Sequence, residues 1–457
     1  MVRAALSKKL SQREFLGHPA GLFVLFFTEM WERFSFYGMR ALLVLYMTQY
    51  LLLDPVRASE VLGYNALYAG LAKVFGQMTV QQMSSQIYGL YTGLVYFTPF
   101  FGGMLADKVL GQHRTVYLGG FLMAIGHFLM ASEQAFLLAL LFLIIGNGAF
   151  KPNISVQVGN LYPEGDHRRD KAFSIFYMGI NLGALLSPIV CGTLGQKVGW
   201  HWGFGAAGVG MLVGLLVYWI GSDLLPKDSM HTMDHQERKR PLTATEWKSV
   251  AALGVLALLN IMFWAIYEQQ GNTLQLWADA KTNWNLAGFE IPSTLFQSMN
   301  PAMVIAFVPV VFRFWMWQDK RGKEPSSVVK MGLGCLLLGA AYIFMILAAK
   351  AVPGDEKGSV LWLAGTVLIF TIGEVYLSPI GLSVVSKVAP KPILSMMMGV
   401  WFLSSFFGNY MSGLIGMFYE TMTKDSFFML LCIMGIATGV FFFLLRKPLE
   451  RTLGKKV

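Results

Sequence analysis

At 14% of 457 residues, charged side chains are too scarce for an ordinary soluble domain, where about a quarter is usual. Cysteine is nearly absent: Cys191, Cys335 and Cys432 stand far apart, each inside an apolar run. That pattern excludes a disulfide framework and a C-x-x-C redox site, so the three are expected as inert packing residues. Histidine is sparse, with 7 in the chain. No H-E-x-x-H, G-x-S-x-G or Cys/His ligand spacing occurs, which argues against a metalloenzyme or serine hydrolase. Neither a metal nor a cofactor is expected. His127, alone in an apolar run, is expected as a hydrogen-bonded packing histidine. The opening Met-Val-Arg-Ala-Ala-Leu-Ser-Lys-Lys lacks the short apolar segment and small-residue cleavage site of a signal peptide. The first apolar run is longer than such a segment and is expected to be retained.

Hydrophobic residues are abundant instead, at 55%, with a mean hydropathy of +0.53. This composition points to an all-α membrane protein crossing the bilayer many times. Apolar runs long enough to cross lie at roughly 20–53, 82–106, 114–132, 135–153, 172–195, 201–221, 247–269, 294–317, 327–349, 359–386, 392–417 and 425–446. Twelve spans are therefore predicted. The longest polar break, near 222–246, predicts two six-helix bundles, 1–221 and 247–457, joined by a linker. Such a division is typical of transporters built from related halves around a midplane site.

The net charge of +10 forms no single patch suited to nucleic acid. It concentrates on alternate loops. One side receives Arg3, Lys8, Lys9, Arg13, Lys108, Arg114, Arg168, Arg169, Lys171, the linker's Lys227, Arg238, Lys239 and Arg240, and later Lys320, Arg321, Lys323, Lys455 and Lys456. The other receives little beyond Arg57, Lys73, Lys197, Lys281, Lys350, Lys357 and Lys424. The asymmetry predicts cytoplasmic termini. In the outer loop 54–81, Val61, Leu62, Ala66, Leu67, Leu71, Val74 and Phe75 recur at helical spacing, which predicts a short interfacial helix.

The chain is organised around Glu29-Met-Trp-Glu-Arg-Phe-Ser-Phe-Tyr-Gly-Met-Arg40, inside the first apolar run. Taking Glu29 as zero, Glu32 falls at about 300°, Arg33 at about 40° and Arg40 at about 20° around a helix, with Phe36 between them and Tyr37 just beyond, at about 80°. One face of a membrane helix thus carries two acids and two bases. Each charge costs roughly 2.5–3.5 kcal/mol at a helix centre, so that face must meet protein or a wet cavity.

Other polar residues stand out against apolar spans. Tyr88, Thr92 and Tyr96 recur every four residues. Lys151 is an ammonium inside span four. Asn260, Trp264 and Glu268 share one face of span seven, and Glu374 and Ser378 lie one turn apart in span ten. Glu268, a lone acid among Trp264, Ile266 and Tyr267, is expected to be a transport-linked proton site. Rings of like groups along a pore, which a channel needs, are not evident.

The stretch beginning at Glu29 resembles the E-x-x-E-R-F-x-Y-Y-G motif of the proton-dependent oligopeptide transporter family, within the major facilitator superfamily. It departs at Phe36, where the family usually has tyrosine. The resemblance extends over nearly the whole chain. Gly103 to Arg114 is similar to the cytoplasmic G-x-x-x-D-R/K-x-x-G-x-x-R loop, Gly146 to Asn153 to the G-x-[FL]-K-P-N segment, and Phe173 to Gly183 to F-S-x-F-Y-x-x-I-N-x-G.

The resemblance implies the major facilitator fold and a bacterial proton-coupled symporter of di- and tripeptides working by alternating access. It implies Glu29, Glu32, Arg33 and Glu268 in proton coupling. Arg33, Tyr37, Arg40, Tyr96, Lys151, Asn181, Trp264, Asn300, Glu374, Ser378 and Trp401 would line the pocket. Asp107, Lys108, Arg114, Lys151 and Glu374 would act in gating, with Asp107 holding a basic residue or a helix N-terminus and Lys151 pairing with Glu374. A zwitterionic dipeptide suits such a set, its carboxylate on Arg40 and its ammonium on Glu374. Protons and the lipid bilayer are the other expected partners, and one chain is expected to suffice. The alternative substrate is nitrate or another small organic solute.

Overall fold

The computed structural model describes residues 14–163, 166, 168–226, 228, 241–286 and 288–454. Arg3, Lys8, Lys9, Arg13, Lys227, Arg238, Lys239, Arg240, Lys455 and Lys456 lie outside the described residues. Helix occupies each of the predicted spans. Span one is Ala20–Tyr46, prolonged by a wider turn at Met47–Leu51. Span two is Val80–Phe97 and Pro99–Leu105; span three is Gln112–Leu129; span four is Phe136–Asn160. Span five runs from Arg168–Ser187 through Pro188–Gly192 to Thr193–Lys197, and span six is Trp200–Gly221. Span seven is Ala244–Tyr267, opened by a reciprocal cap between Thr243 and Glu246 and closed by a tighter turn at Glu268–Gly271. Spans eight to twelve are Phe296–Asp319, Ser327–Ala351, Leu361–Val388, Leu394–Gly416 and Lys424–Leu453.

Among the described residues, 8 helices are long and apolar enough to cross a membrane on length and composition alone. Spans one, two, three and eleven fall short of that measure. Span one is diluted by its own four charges, and span two by its glutamines, serines and tyrosines. Span four runs further than predicted, past Pro152. Proline removes one backbone donor there, and the Asn153 amide donates to Ala149 O at 2.7 Å and Gly102 O at 3.3 Å beside the gap. The loop after span one holds two helices, Pro55–Glu60 and Tyr64–Phe75, and the second buries none of its residues.

The chain forms two compact units. The first comprises 1–80 and 97–231, the second 81–96 and 232–457. In the first, span one packs on spans five and six, and span four on span three and on Pro99–Leu105. A short hairpin, Glu14–Phe15 against His18–Pro19, precedes span one. It turns through Leu16 and Gly17, whose φ angles are 51° and 76°. The turn is clasped to the segment entering span five. His18 Nδ1 lies 2.8 Å from the Tyr162 hydroxyl, and Arg168 donates to Glu14 at 2.8 Å and to Gly17 O at 3.2 Å.

In the second unit, span nine packs on spans ten and twelve, and span seven on span eleven. Phe263, Trp277, Tyr342, Phe370 and Phe428 lie in its core. The segment Gln81–Tyr96 belongs to this unit because small residues let two backbones meet. A Cβ on Gly89 would stand 2.7 Å from the Gly413 Cα, and one on Gly413 would stand 2.5 Å from Ser85 O. Polar bonds fasten the same seam: Ser85 Oγ donates to Asn272 Oδ1 at 3.0 Å, and Gln81 Nε2 to Gly416 O at 2.9 Å. In a membrane, close backbone approach and interhelical hydrogen bonds replace the missing hydrophobic drive.

Candidate functional site

The charged face of span one is buried as its periodicity requires. Glu29, Glu32, Arg33 and Arg40 are all buried. Arg33 sits between the two acids. Its Nη2 donates to Glu32 Oε1 at 2.7 Å, its Nε bonds Glu32 Oε2, and Nε also lies 3.2 Å from Glu29 Oε1. A guanidinium suits this site because its planar fork meets a carboxylate with two parallel bonds. The other Glu29 oxygen is buried and has no hydrogen-bond partner among the described residues. Glu32 Oε1 also accepts from the Asn147 amide of span four at 3.1 Å.

Two carboxylates share one guanidinium, so the group carries a surplus negative charge unless a proton or another cation balances it. Lys151, one turn beyond Asn147 on span four, is half-buried, and its charge acts on Glu29. The arrangement therefore allows two neutral states, one with a proton on a carboxylate and one with the Lys151 ammonium as counter-charge. Removing one member of a buried ionic group typically costs ~3–5 kcal/mol, because the remaining charge is stranded.

Further along span one, the Arg33 guanidinium lies 5.1 Å from the Phe36 ring centre, and that of Arg40 lies 5.8 Å from the Tyr37 ring. The departure at Phe36 thus keeps an aromatic face for Arg33 while omitting a hydroxyl. Asn181 of span five is buried, with its amide donating to Tyr177 O of its own helix at 2.9 Å.

The second unit brings together the other predicted residues. Asn300 of span eight donates to Glu374 Oε2 of span ten at 3.0 Å and lies 3.0 Å from Thr371 Oγ1. The Tyr267 hydroxyl approaches Asn300 Oδ1 at 3.4 Å. Ser378 follows Glu374 by one turn and is half-buried. Trp401 is buried against span ten, where a Cβ on Gly381 would collide with its ring at 2.2 Å. Tyr96 and Trp264 face each other with ring centres 6.4 Å apart. Asn260 is committed to packing, its amide donating to Ser404 Oγ at 2.8 Å.

Glu268 begins the tight turn that ends span seven. It is 1% exposed and accepts from the Tyr88 hydroxyl at 3.2 Å. Sequence reading passed over this role for Tyr88, although the four-residue stripe contained the signal. It also passed over Asn147 and Thr371, because an uncharged polar residue in an apolar helix gives no charge to explain.

Asp107, Lys108 and Arg114 are exposed, and none forms an ion pair with a described residue. The carboxylate at the head of span three belongs to Asp228, which accepts from the His113 N–H at 3.2 Å. A Cβ on Gly111 would stand 2.3 Å from that carboxylate. Asp107 is therefore not the residue holding this helix end. His127 is buried, but neither ring nitrogen has a hydrogen-bond partner among the described residues, contrary to the expectation for a satisfied packing histidine. The three cysteines are buried and unbridged.

Long apolar helices that bury ionic groups define an all-α integral membrane transporter. A family model described as "POT family" matches residues 113–234 and 230–434, and the chain belongs to this family. It is 35% identical to the "Uncharacterized transporter YclF" of Bacillus subtilis (strain 168), over 98% of each chain. It is 32% identical to the "Di-/tripeptide transporter" of Lactococcus lactis subsp. cremoris, covering 97% of this chain and 98% of that one. Its structure is similar to that of a peptide transporter POT in complex with sulfate, with a TM-score of 0.84 and 31% identity over 100% of this chain and 99% of the other.

Proposed function

We propose that this chain imports di- and tripeptides together with protons across a bacterial cytoplasmic membrane, with both termini cytoplasmic. The observation that carries the proposal is the buried group of Glu29, Glu32 and Arg33, in which two acids share one fixed cation. Such a group has two ways to reach neutrality, by taking a proton or by calling on Lys151, and exchange between them is a means of coupling. Glu268, held by Tyr88, is the second proton site. The proton gradient supplies the drive, ~2.3 kcal/mol per elementary charge for each 100 mV of potential, and no cofactor takes part.

Arg40 takes the peptide carboxylate in this reading, and Glu374, oriented by Asn300, takes the ammonium. Arg33, Lys151, Asn181 and Ser378 add polar contacts, and Tyr37, Tyr96, Trp264 and Trp401 offer surfaces that accept side chains of many shapes. Asp107, Lys108 and Arg114 act in gating together with Lys151 and Glu374. The printed name of the Lactococcus relative supports the substrate class.

The test is uptake of labelled dialanine by proteoliposomes under an imposed pH gradient, inside alkaline. Accumulation above the external concentration, abolished by a protonophore, is expected. Failure to accumulate dialanine while nitrate or another small organic solute is driven inward would overturn the peptide assignment and leave the fold and coupling site in place.

A further inference from the structure

Asn147 is fully buried in span four between two glycines, and those glycines fix where it stands. A Cβ on Gly146 would lie 2.7 Å from Gly119 O of span three. One on Gly148 would lie 2.6 Å from the Thr98 side chain. The helix is wedged on both sides at this level, so the Asn147 side chain has little freedom beyond rotation of its terminal amide. That amide gives one N–H to Glu32 Oε1 at 3.1 Å, while its Oδ1 is buried and lacks a partner among the described residues.

The other group bonded to Glu32 is the Arg33 guanidinium, which can only donate. A protonated Glu32 would present an O–H to donors alone unless an acceptor turned toward it. The Asn147 amide holds both kinds of group on one rotor. We propose that Asn147 is a positioning residue for proton coupling: its N–H holds ionised Glu32, and a half-turn of the amide presents Oδ1 to the O–H of protonated Glu32. No bond is broken other than the O–H of the arriving proton donor, and the proton resides on Glu32 throughout. The inference rests on Glu32 being a coupling site.

The charged and titratable groups around it are few. Span one brings Glu29, Arg33 and Tyr37, and span four brings Lys151. Span five carries its charges in its first turn and at its last residue, Lys197, and span six contains no Asp, Glu, Lys or Arg. Both meet span one through glycine, Gly183 against Met30 and Gly210 against Phe34.

The test compares pH profiles of proton-driven dialanine uptake in proteoliposomes. Asn147→Leu keeps the approximate volume without donor or acceptor, and Asn147→Thr keeps both on one hydroxyl. The midpoint of the profile is expected to move upward by about one pH unit in Asn147→Leu, since the lost bond to ionised Glu32 is worth more than the lost bond to its protonated form, and to return most of the way in Asn147→Thr. In a Glu32→Gln background, where driven uptake is lost and the pH profile is read by peptide counterflow instead, the same leucine substitution is expected to cause no further shift. An unchanged midpoint in Asn147→Leu, or an equal shift with and without the Glu32 carboxyl, would overturn the proposal. If the leucine variant fails to assemble, Asn147→Val and Asn147→Thr, which differ by a methyl and a hydroxyl, give the same comparison. Proton-driven uptake that survives intact in Glu32→Gln alone would instead remove the coupling site on which the inference stands.

Discussion

The Tyr88 hydroxyl donates to Glu268 Oε2 across 3.2 Å, and neither side chain reaches solvent. The bond ties the buried end of span seven to span two inside one compact unit. Glu268→Gln keeps the shape and removes the titratable proton. It should abolish uphill accumulation of dialanine while exchange of internal for external peptide persists. Tyr88→Phe leaves the acid in place and removes this one bond, a loss of about 1.5–3 kcal/mol for a bond to a charged group, and should weaken accumulation at least tenfold. Both are read by comparing pH-driven uptake with counterflow in the same vesicles.

The contact between Asn300 and Glu374 orients the carboxylate to which the peptide ammonium is assigned. Capping that end removes a charge-assisted bond and strands the half-buried Glu374 charge under the bound peptide, a loss of ~2–5 kcal/mol, or about thirtyfold and upward in affinity. Free dialanine should displace a reporter peptide, and its N-acetylated form should compete at least thirtyfold less well. In Glu374→Gln the two forms should compete nearly alike.

The seam of Gly89 and Gly413 leaves no room for a branched side chain. Gly413→Val must separate the two backbones or expel Gln81–Tyr96 from its unit. We expect a lower midpoint of thermal unfolding in detergent, by several degrees. We also expect a cysteine placed at Gln82 to become more reactive toward a water-soluble maleimide. An unaltered midpoint and labelling rate would show that the seam is not a close contact.

The hairpin before span one depends on neutral Tyr162. Burial holds its phenol up at about 12, above the usual tyrosine value. With the folded value raised, its contribution to the clasp is fully present below the unfolded value near 10 and fades as pH rises through the folded one. Cleavage within 14–19 by a protease should be slow near pH 8 to 9 and accelerate above about pH 10. Tyr162→Phe should raise the neutral rate severalfold and remove the alkaline step.

Much of this protein can be read from one dimension. Glu29, Glu32, Arg33 and Arg40 stand out because charge inside an apolar span demands a partner, and their angular spacing already assigns them one face. The helices themselves follow from the length of the apolar runs. Partner choice does not follow. Gln81–Tyr96 joins the second unit through glycines that meet Gly413, and nothing local to Gly89 names that neighbour. Asp228 at the head of span three, Asn147 beneath Glu32 and Tyr88 beside Glu268 were hidden for a related reason. Hydrophobic periodicity records what each helix must hide from lipid and water. Which helix does the hiding is settled by the fit of small residues and single hydrogen bonds over long sequence separations, and that fit exists only once the chain has packed.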